Sequence, residues 1–199
     1  MTAKEHYDAH LGNVYSWMLG DFFLKMSGQL EFFRKQGILP TGNHVAFDLG
    51  AGNGIQSVAL AKIGFSVMAV DFNKQLLNEL NANREDLDIN TIEEDIYKFL
   101  STTYDKAELI VCMGDTLTHF RNYDQVEKTL ERIAALLSED GKVVFSFRDL
   151  SNERKGTNRF FPVRLDDNRS MTCFLEYFPD HVMVYDLSQK KMLEYGTRK

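Results

Sequence analysis

Residues 45–54 constrain the fold of this chain more than any other stretch. They read Val-Ala-Phe-Asp-Leu-Gly-Ala-Gly-Asn-Gly, so a short apolar run is followed by three glycines at alternate positions. The apolar run predicts a buried β-strand, and the glycines predict a tight turn with a helix behind it. Because Gly50, Gly52 and Gly54 have no Cβ, a ligand can approach the main chain of this turn closely. We therefore expect a nucleoside-type ligand here.

Strand and helix patterns alternate on both sides of this turn. The predicted strands are 45–49, 66–70, 88–92, 109–113 and 142–147, and the predicted helices between them are 54–63, 73–83 and 122–137. Parallel strands need crossover connections, so this alternation predicts a parallel sheet with helices on both faces.

The two ends of the chain have different patterns. Residues 5–36 show helical periodicity interrupted by Gly12, Gly20 and Gly28, which predicts two or three short helices. Near the other end, the segments 160–165, 171–178 and 182–187 read as strands with short connections, which favours antiparallel pairing. These strands either extend the parallel sheet as an edge or form a small flap.

Composition narrows the class of protein. A chain of 199 residues with 44% hydrophobic residues is expected to form one globular domain, 1–199. Its net charge of −6 argues against nucleic acid as the main partner. No apolar stretch approaches the roughly 18–20 residues that span a bilayer, so no membrane partner is expected. The two cysteines read as buried free thiols, the five histidines lack metal-ligand spacing, and we expect a cytoplasmic protein without a metal site.

Three carboxylates stand where predicted strands end. Asp48 precedes the glycines, where it would oppose a pyrophosphate and suits a cationic ligand better; the glycine spacing also departs from the dinucleotide pattern G-x-G-x-x-G. Asp71 can accept both hydroxyls of a ribose or can complement the dipole of the next helix. Asp95 can accept from an exocyclic amine while Ile96 packs on the ring, or it can belong to a solvated acidic loop, 93–95.

The ordered combination of these features, over residues 40–150, resembles the class I S-adenosylmethionine-dependent methyltransferases. The resemblance implies a Rossmann-like, doubly wound, mostly parallel seven-stranded sheet with a C-terminal antiparallel hairpin, and S-adenosylmethionine as cofactor. In that family the glycine turn meets the methionine part, Asp48 its amino group, Asp71 the ribose, and Asp95 with Ile96 the adenine. The cofactor-binding residues expected in the core are therefore Asp48, Gly50, Ala51, Gly52, Gly54, Asp71, Phe72, Asp95, Ile96, Met113 and Gly114.

The N-terminal segment is similar to a narrower group. Residues 13–21, Asn-Val-Tyr-Ser-Trp-Met-Leu-Gly-Asp, resemble the entry segment of glycine and sarcosine N-methyltransferases, as do residues 114–120 and 147–149. The resemblance implies a helical lid over residues 1–40, a cofactor-binding core over 41–150 and antiparallel strands over 151–199. Tyr15 and Trp17 are then candidates to cover the cofactor, since aromatic faces favour a sulfonium cation. Alternatively, both side chains pack the helix on the sheet.

Three side chains are candidates for acting on the substrate. Asp115 and His119 are four residues apart after the fourth strand, so a helical turn would put them on one face, where His119 can remove a proton or orient a substrate. The alternative is a capped turn in which His119 hydrogen-bonds a carbonyl. Arg148, expected at the end of the fifth strand, can hold a substrate carboxylate or pair with Asp149 or Glu153.

The function expected from the resemblance is in-line methyl transfer to a small-molecule acceptor, with N-methylation slightly favoured over O-methylation. This reaction mainly requires alignment and the exclusion of water, which agrees with the lack of a Ser-His-Asp or Cys-His pattern. Two alternatives are a regulatory protein that binds the cofactor without catalysis and a nicotinamide-dependent oxidoreductase. The second is weakened by the glycine spacing and by the absence of a Tyr-x-x-x-Lys pair.

Overall fold

Five parallel strands form one sheet in the order β3-β2-β1-β4-β5 in the computed structural model of this chain, which describes residues 3–120 and 122–190. The strands are β1 (Val45–Leu49), β2 (Ser66–Asp71), β3 (Ile89–Glu93), β4 (Ala107–Cys112) and β5 (Leu137–Phe145). This order and the helical crossovers confirm the predicted Rossmann-like α/β fold.

Helices connect these strands and precede them. They are α1 (Ala3–His6), α2 (Gly12–Leu19), α3 (Phe22–Lys35), α4 (Ile55–Ile63), α5 (Lys74–Asn83), α6 (Ile96–Thr102) and α7 (Tyr123–Leu136), with a π-helical turn at Tyr7–Leu11 and a 3₁₀ turn at Thr116–His119. Asn73 caps α5 as the sequence predicts, since its side chain accepts from the Leu76 amide at 3.0 Å. Of the three glycines expected to interrupt residues 5–36, only Gly20 ends a helix; Gly12 begins α2 and Gly28 lies within α3.

Alternating side chains of the strands bury both faces of the sheet. On β1, Ala46 packs in one apolar cluster with α3, α4 and α5, whereas Phe47 and Leu49 pack in a second cluster with α6 and α7. Each of these three side chains is fully buried. The sheet is therefore covered on both sides, and its rigid centre is the strand that leads into the glycine turn.

The carboxyl end of β1 is the topological switch point of the sheet. From β1 the chain passes to β2 on one side, and β4 pairs with β1 on the other, with Asp48 between Ala69 and Val111. Connections that leave in opposite directions open a crevice at this edge, which is where doubly wound sheets bind ligands. The fold thus brings the ends of β1, β2 and β4 to one place.

The three C-terminal strands correct one prediction. They are β6 (Phe160–Leu165), β7 (Arg169–Tyr177) and β8 (Val182–Lys190), and they form a separate antiparallel sheet in the order β6-β7-β8. The prediction of one seven-stranded sheet is therefore wrong: the described strands form a five-stranded parallel sheet and a three-stranded antiparallel one. The short connections between these strands pair them with one another rather than with β5.

Chain contacts divide the protein into two compact units, the first ending at Arg148 and the second beginning at Asp149. The boundary is close to the predicted end of the core at residue 150. The assignment of 1–199 to a single domain stays a prediction. A 3₁₀ turn at Gly156–Arg159 precedes β6 in the second unit.

The last parallel strand also differs from its prediction. It begins at Leu137 rather than at residue 142, and its ladder with β4 shifts between the pairs Ala107–Leu137 and Leu109–Lys142. Residues 138–141, which lie between the predicted helix and strand, therefore form a bulge. Asp140 has a φ of 59° in this bulge, a left-handed conformation that the sequence pattern does not announce.

No helix in the described part of the chain is long and apolar enough to cross a membrane. Within the same residues, no group of three or more His, Cys, Asp or Glu side chains could hold a metal ion.

Candidate functional site

The turn after β1 is built from glycines with positive φ. Gly50 has a φ of 80°, and a Cβ there would lie 2.5 Å from Oγ1 of Thr116, a distance that real Cβ atoms do not tolerate. At Gly54, where φ is 94°, a Cβ would lie 2.5 Å from Cγ of Leu80. Gly50 is thus required for the shape of the cavity, and Gly54 for the packing of α4 against α5.

Asp71 fixes this turn from the end of the neighbouring strand. Its Oδ2 accepts from the Gly52 amide at 2.8 Å, and its Oδ1 accepts from the Asn73 amide at 2.8 Å. Burial raises the pKa of Asp71, and these backbone hydrogen bonds act in the opposite direction. The side chain is only 8% exposed, and the exposed part lines the cavity described below.

Asp48 is buried behind the turn. Its Oδ2 accepts from the hydroxyl of Ser57 at 2.5 Å, and the residue is 1% exposed. Burial raises its pKa to about 7, although the bond from Ser57 lowers it and the nearby Asp71 raises it further. Asp48 does not line the cavity in the described structure, so its contact with a cofactor amino group stays a prediction.

A cavity of about 690 Å³ opens at the carboxyl edge of the parallel sheet, in front of the glycine turn. This volume is in the range of pockets that hold cofactors and drug-sized ligands. Ten of the predicted site residues line it: Tyr15, Gly50, Gly52, Asp71, Phe72, Asp95, Ile96, Met113, Asp115 and His119. The predicted residues outside its lining in the described structure are Trp17, Asp48, Ala51, Gly54, Gly114 and Arg148.

Acidic side chains surround much of this cavity. Asp95 both lines it and caps α6, because its carboxylate accepts from the Lys98 amide at 3.1 Å. Glu94 lines it too and pairs with the Lys98 ammonium at 2.7 Å. The acidic lining comprises Asp71, Glu93, Glu94, Asp95 and Asp115. Such a lining favours a ligand with positive charge or with several hydrogen-bond donors.

Aromatic rings from the N-terminal segment close one side of the cavity. Tyr7 lies at the centre, with ring centroids 5.8 Å from Tyr15, 5.6 Å from Phe72 and 5.8 Å from His119. Tyr15 in turn lies against the glycine turn, since a Cβ on Gly52 would be 3.4 Å from its Cε1. Burial, together with the neighbouring Asp71, raises the pKa of Tyr15 to about 12, so its phenol is neutral at physiological pH.

Hydrogen bonds attach the N-terminal segment to α5 and to Asn73, the residue that caps this helix. Asn73 donates to Asp8 at 2.9 Å, Gln75 donates to the Gly12 carbonyl at 3.1 Å, and Ser16 donates to Glu79. Only Leu11 and Gly12 are buried in residues 4–19. The contacts that hold the segment are therefore mainly hydrogen bonds and rings rather than a shared apolar core.

Beyond the end of β4, Asp115 pairs with Arg148. The Asp115 carboxylate accepts from Arg148 Nε at 2.6 Å and from the Arg148 amide at 3.0 Å. Arg148 lies three residues beyond β5 rather than at its end, and its partner is one that the sequence did not indicate. The side chains of Arg148 and Asp115 are 47% and 25% exposed. Asp115 and His119 both line the cavity, on either side of the 3₁₀ turn.

Several lining residues were not predicted as site residues from the sequence: Lys4, Tyr7, Leu76, Glu93, Glu94, Thr116, Phe120 and Gln125. Tyr7 reads in the sequence as one step of an apolar helical stripe, which is indistinguishable from a core position. Its location on a π-helical turn, a feature enriched at functional sites, has no clear sequence signal. Lys4 reaches the site by donating to the Phe72 carbonyl at 3.3 Å, a contact between distant parts of the chain.

Comparisons with known proteins agree with this architecture. Residues 46–141 match the family described as methyltransferase domain. A glycine/sarcosine N-methyltransferase of Aphanothece halophytica is 27% identical over 151 residues, which are 73% of this chain and 57% of that protein. A ubiquinone biosynthesis O-methyltransferase of Coxiella burnetii is 33% identical over 120 residues, or 59% of this chain and 48% of that protein. The chain thus spans about half the length of these two relatives.

The fold also matches solved structures. An S-adenosylmethionine-dependent methyltransferase from Clostridium acetobutylicum superposes with a TM-score of 0.63 at 16% identity, over 96% of this chain and 80% of that one. At this identity the likeness concerns the fold. The matched segment, which runs from β1 into β5, and the shared fold agree with what the motifs indicated: residues 46–141 are similar to a methyltransferase domain, and the chain resembles the class I S-adenosylmethionine-dependent methyltransferases.

Proposed function

We propose that this chain is an S-adenosylmethionine-dependent methyltransferase that acts on a small-molecule acceptor, with N-methylation slightly favoured over O-methylation. The observation that carries the proposal is the glycine turn with Asp71 behind it, facing a cavity of about 690 Å³ at the switch point of the sheet. The finer details, including the acceptor and the role of each side chain, are part of the proposal.

The residues present fit this cofactor. Gly50 and Gly52 both line the cavity, and as glycines they present only main chain to it. Asp71 uses each oxygen for one backbone amide, and a carboxylate oxygen has a second lone pair for a ribose hydroxyl. Asp95 and Ile96 line the next part of the cavity, where an adenine amine and ring would meet a carboxylate and an apolar side chain.

When bound, the cofactor would supply a methyl group activated by a positively charged sulfur. The chain would bind the nucleoside through Asp71 and Asp95 and would exclude water with Tyr7 and Tyr15. Faces of these rings favour a cation, and the neutral phenol of Tyr15 keeps its hydrogen-bond donor at physiological pH. Alignment and exclusion of water are the main contributions that this type of reaction asks of a protein.

The Asp115–Arg148 pair supports an amine acceptor. An oxygen nucleophile needs a base, and the Asp115 carboxylate is occupied by two bonds from Arg148. His119 then remains the candidate base, whereas an amine that enters in its neutral form needs little help. Arg148 lies outside the lining of the cavity, so a contact between its guanidinium and the carboxylate of a small amino acid or related amine is part of the proposal.

The relatives include both reaction types. One is named for glycine and sarcosine and for N-methylation, and the other for O-methylation in ubiquinone biosynthesis. The first agrees with the proposed carboxylate-bearing amine. The cytoplasmic location and the absence of nucleic-acid and membrane partners stay predictions from the sequence.

The test has two steps. Calorimetric titration with S-adenosylmethionine and, separately, with NADH should show binding of the first compound only. The protein is then incubated with S-adenosylmethionine and panels of amines, amino acids and phenols, and formation of S-adenosylhomocysteine is followed. Turnover with an amine supports the proposal; turnover with phenols alone overturns the preference for nitrogen. Binding without turnover on any panel favours a regulatory protein, and absence of binding removes the proposal altogether.

A further inference from the structure

Helix α3 has one face in the core and one face in solvent. Met26 and Phe33 are buried against the parallel sheet, so the helix is anchored on that side. The opposite face of the helix is exposed along its whole length. Its residues follow one another at steps of three and four positions, so they form one stripe. Its members are Asp21, the residue that caps the helix, followed by Leu24, Lys25, Gly28, Glu31, Phe32 and Lys35.

Two large apolar side chains lie in this stripe. Leu24 is 72% exposed and Phe32 is 37% exposed, one on each side of Gly28. A Cβ on Gly28 would meet no heavy atom within 4 Å in the described structure, so the middle of the stripe is an open, shallow step. Apolar side chains that flank a small residue let a second helix approach closely, to about 8 Å between axes.

The charges of the stripe are arranged symmetrically about Gly28, with opposite signs. Three residues to either side of Gly28 are Lys25 and Glu31, and seven residues to either side are Asp21 and Lys35. If an identical helix runs antiparallel with Gly28 at the crossing, each residue meets the one equally far on the other side of Gly28. Lys25 then faces Glu31, and Asp21 faces Lys35, twice each.

The apolar residues obey the same symmetry. Leu24 and Phe32 are each four residues from Gly28, so they would meet across the axis in two copies. This is the self-complementarity that an isologous two-fold interface requires. A partner of one sign of charge would instead meet both attractive and repulsive charges on this stripe, which argues against a simple acidic or basic partner.

We propose that the exposed face of α3 binds the same face of a second copy of this chain, antiparallel, with the two-fold axis at Gly28. The stripe spans about 20 Å of helix, so the area buried is at the small end for specific interfaces and the dimer is expected to be weak. The Glu31–Lys35 ion pair at 2.7 Å already orders two of the side chains within each copy. The inference does not depend on the proposed methyl transfer and stands or fails separately.

Sedimentation velocity over a range of concentrations tests the dimer. The native chain should show a concentration-dependent shift toward dimer that weakens as salt rises. Lys25→Glu and Glu31→Lys should each weaken dimerisation by about tenfold or more, since each places like charges opposite one another twice. An equimolar mixture of these two variants should dimerise again, because every pair across the mixed interface is then opposite in sign. The double variant carrying both changes should behave in the same way.

Two further variants make the outcome decisive. Gly28→Gln adds bulk where the monomer has room and replaces glycine by a better helix former, so it should block the dimer without loss of helical circular dichroism. Lys62→Glu, an equal charge reversal at an exposed position of α4, is the control and should leave dimerisation unaffected. A native chain that stays monomeric at all concentrations overturns the proposal. The proposal is also overturned if Gly28→Gln dimerises as strongly as the native chain, or if the mixture of the two charge variants does not dimerise.

Discussion

The floor of the cavity and its rim are held in place by different interactions. The floor consists of the glycine turn with Asp71 and Asp48, which are at most 8% exposed and bonded to backbone amides or to Ser57. The side chains of the rim pair, Asp115 and Arg148, are 25% and 47% exposed, and an ion pair and a backbone hydrogen bond join them. Buried, fully bonded groups tolerate little change, whereas exposed ion pairs contribute little to stability. The floor is therefore fixed by the fold, and the rim is free to vary; under the proposed function these are the nucleoside side and the acceptor side of the site.

The largest expected effect comes from adding one carbon to the floor. In Gly50→Ala the backbone φ of residue 50 is unfavourable for alanine, and the new Cβ collides with Thr116. The turn must therefore shift. Backbone strain and overpacking each cost about 2 kcal/mol. If the turn must be restored on binding, the affinity for S-adenosylmethionine should fall about 1000-fold, as measured by calorimetry.

Gly37→Ala is the matched control, because Gly37 also has a positive φ of 63° but its Cβ would meet nothing within 4 Å in the described residues. It should lower stability through backbone strain alone and leave cofactor affinity unchanged. Equal affinities of Gly50→Ala and the native protein would show that the floor is not rigid.

The second prediction concerns the cost of the buried carboxyl in the floor. In the unfolded chain an Asp ionises near pH 4, whereas Asp48 keeps its proton up to about pH 7. Unfolding therefore releases a proton between these values, and the contribution of Asp48 to stability is lost as pH rises through them. Asp48→Asn stays neutral, so relative to the native chain it should gain stability from pH 4 to pH 8, on the order of 4 kcal/mol at most.

Urea unfolding at several pH values measures this difference. Asp86→Asn, at an exposed position, should keep the pH dependence of the native protein. If Asp48→Asn keeps it too, the carboxyl is not desolvated as the floor requires.

The smallest effect is expected at the rim. Arg148→Ala should raise KM for a carboxylate-bearing acceptor about tenfold and change S-adenosylmethionine affinity less than about twofold, because the lost contact is exposed and screened. Thermal unfolding should be nearly unchanged. Lys128→Ala, which breaks a surface ion pair with Asp124 of 2.9 Å, is the control for losing a charge and should alter neither constant. A large loss of cofactor affinity in Arg148→Ala would remove the distinction between floor and rim.

The floor could be predicted from sequence because local rules determine it. Glycines after an apolar run specify a turn, and a carboxylate at the end of the next parallel strand lies at the same edge of the sheet. The sequence therefore predicted that Gly50, Gly52 and Asp71 lie together at this edge. At the rim, Asp115 and Arg148 were both predicted as candidates, but their pairing could not be predicted because it depends on the packing of distant segments. Tyr7 was missed for the same reason.

The local sequence pattern also could not predict the number of strands in the sheet. The segments of β6, β7 and β8 were identified correctly as strands, yet their alternation of side chains is the same whether they extend a parallel sheet or pair among themselves. Partner choice depends on contacts between segments rather than on periodicity. The family resemblance implied seven strands in one sheet, whereas β6, β7 and β8 pair with one another in a separate sheet.

The bonds that Asp71 makes to the turn limit how this site can be redesigned. Under the proposed function, Asp71 would also bind the ribose of the cofactor. Here the same carboxylate shapes the loop through the Gly52 and Asn73 amides. Replacing Asp71 would therefore deform the turn as well as change the selectivity. Substitutions for an altered cofactor are better sought at Asp95 and Ile96, which line the cavity and are proposed to meet the adenine.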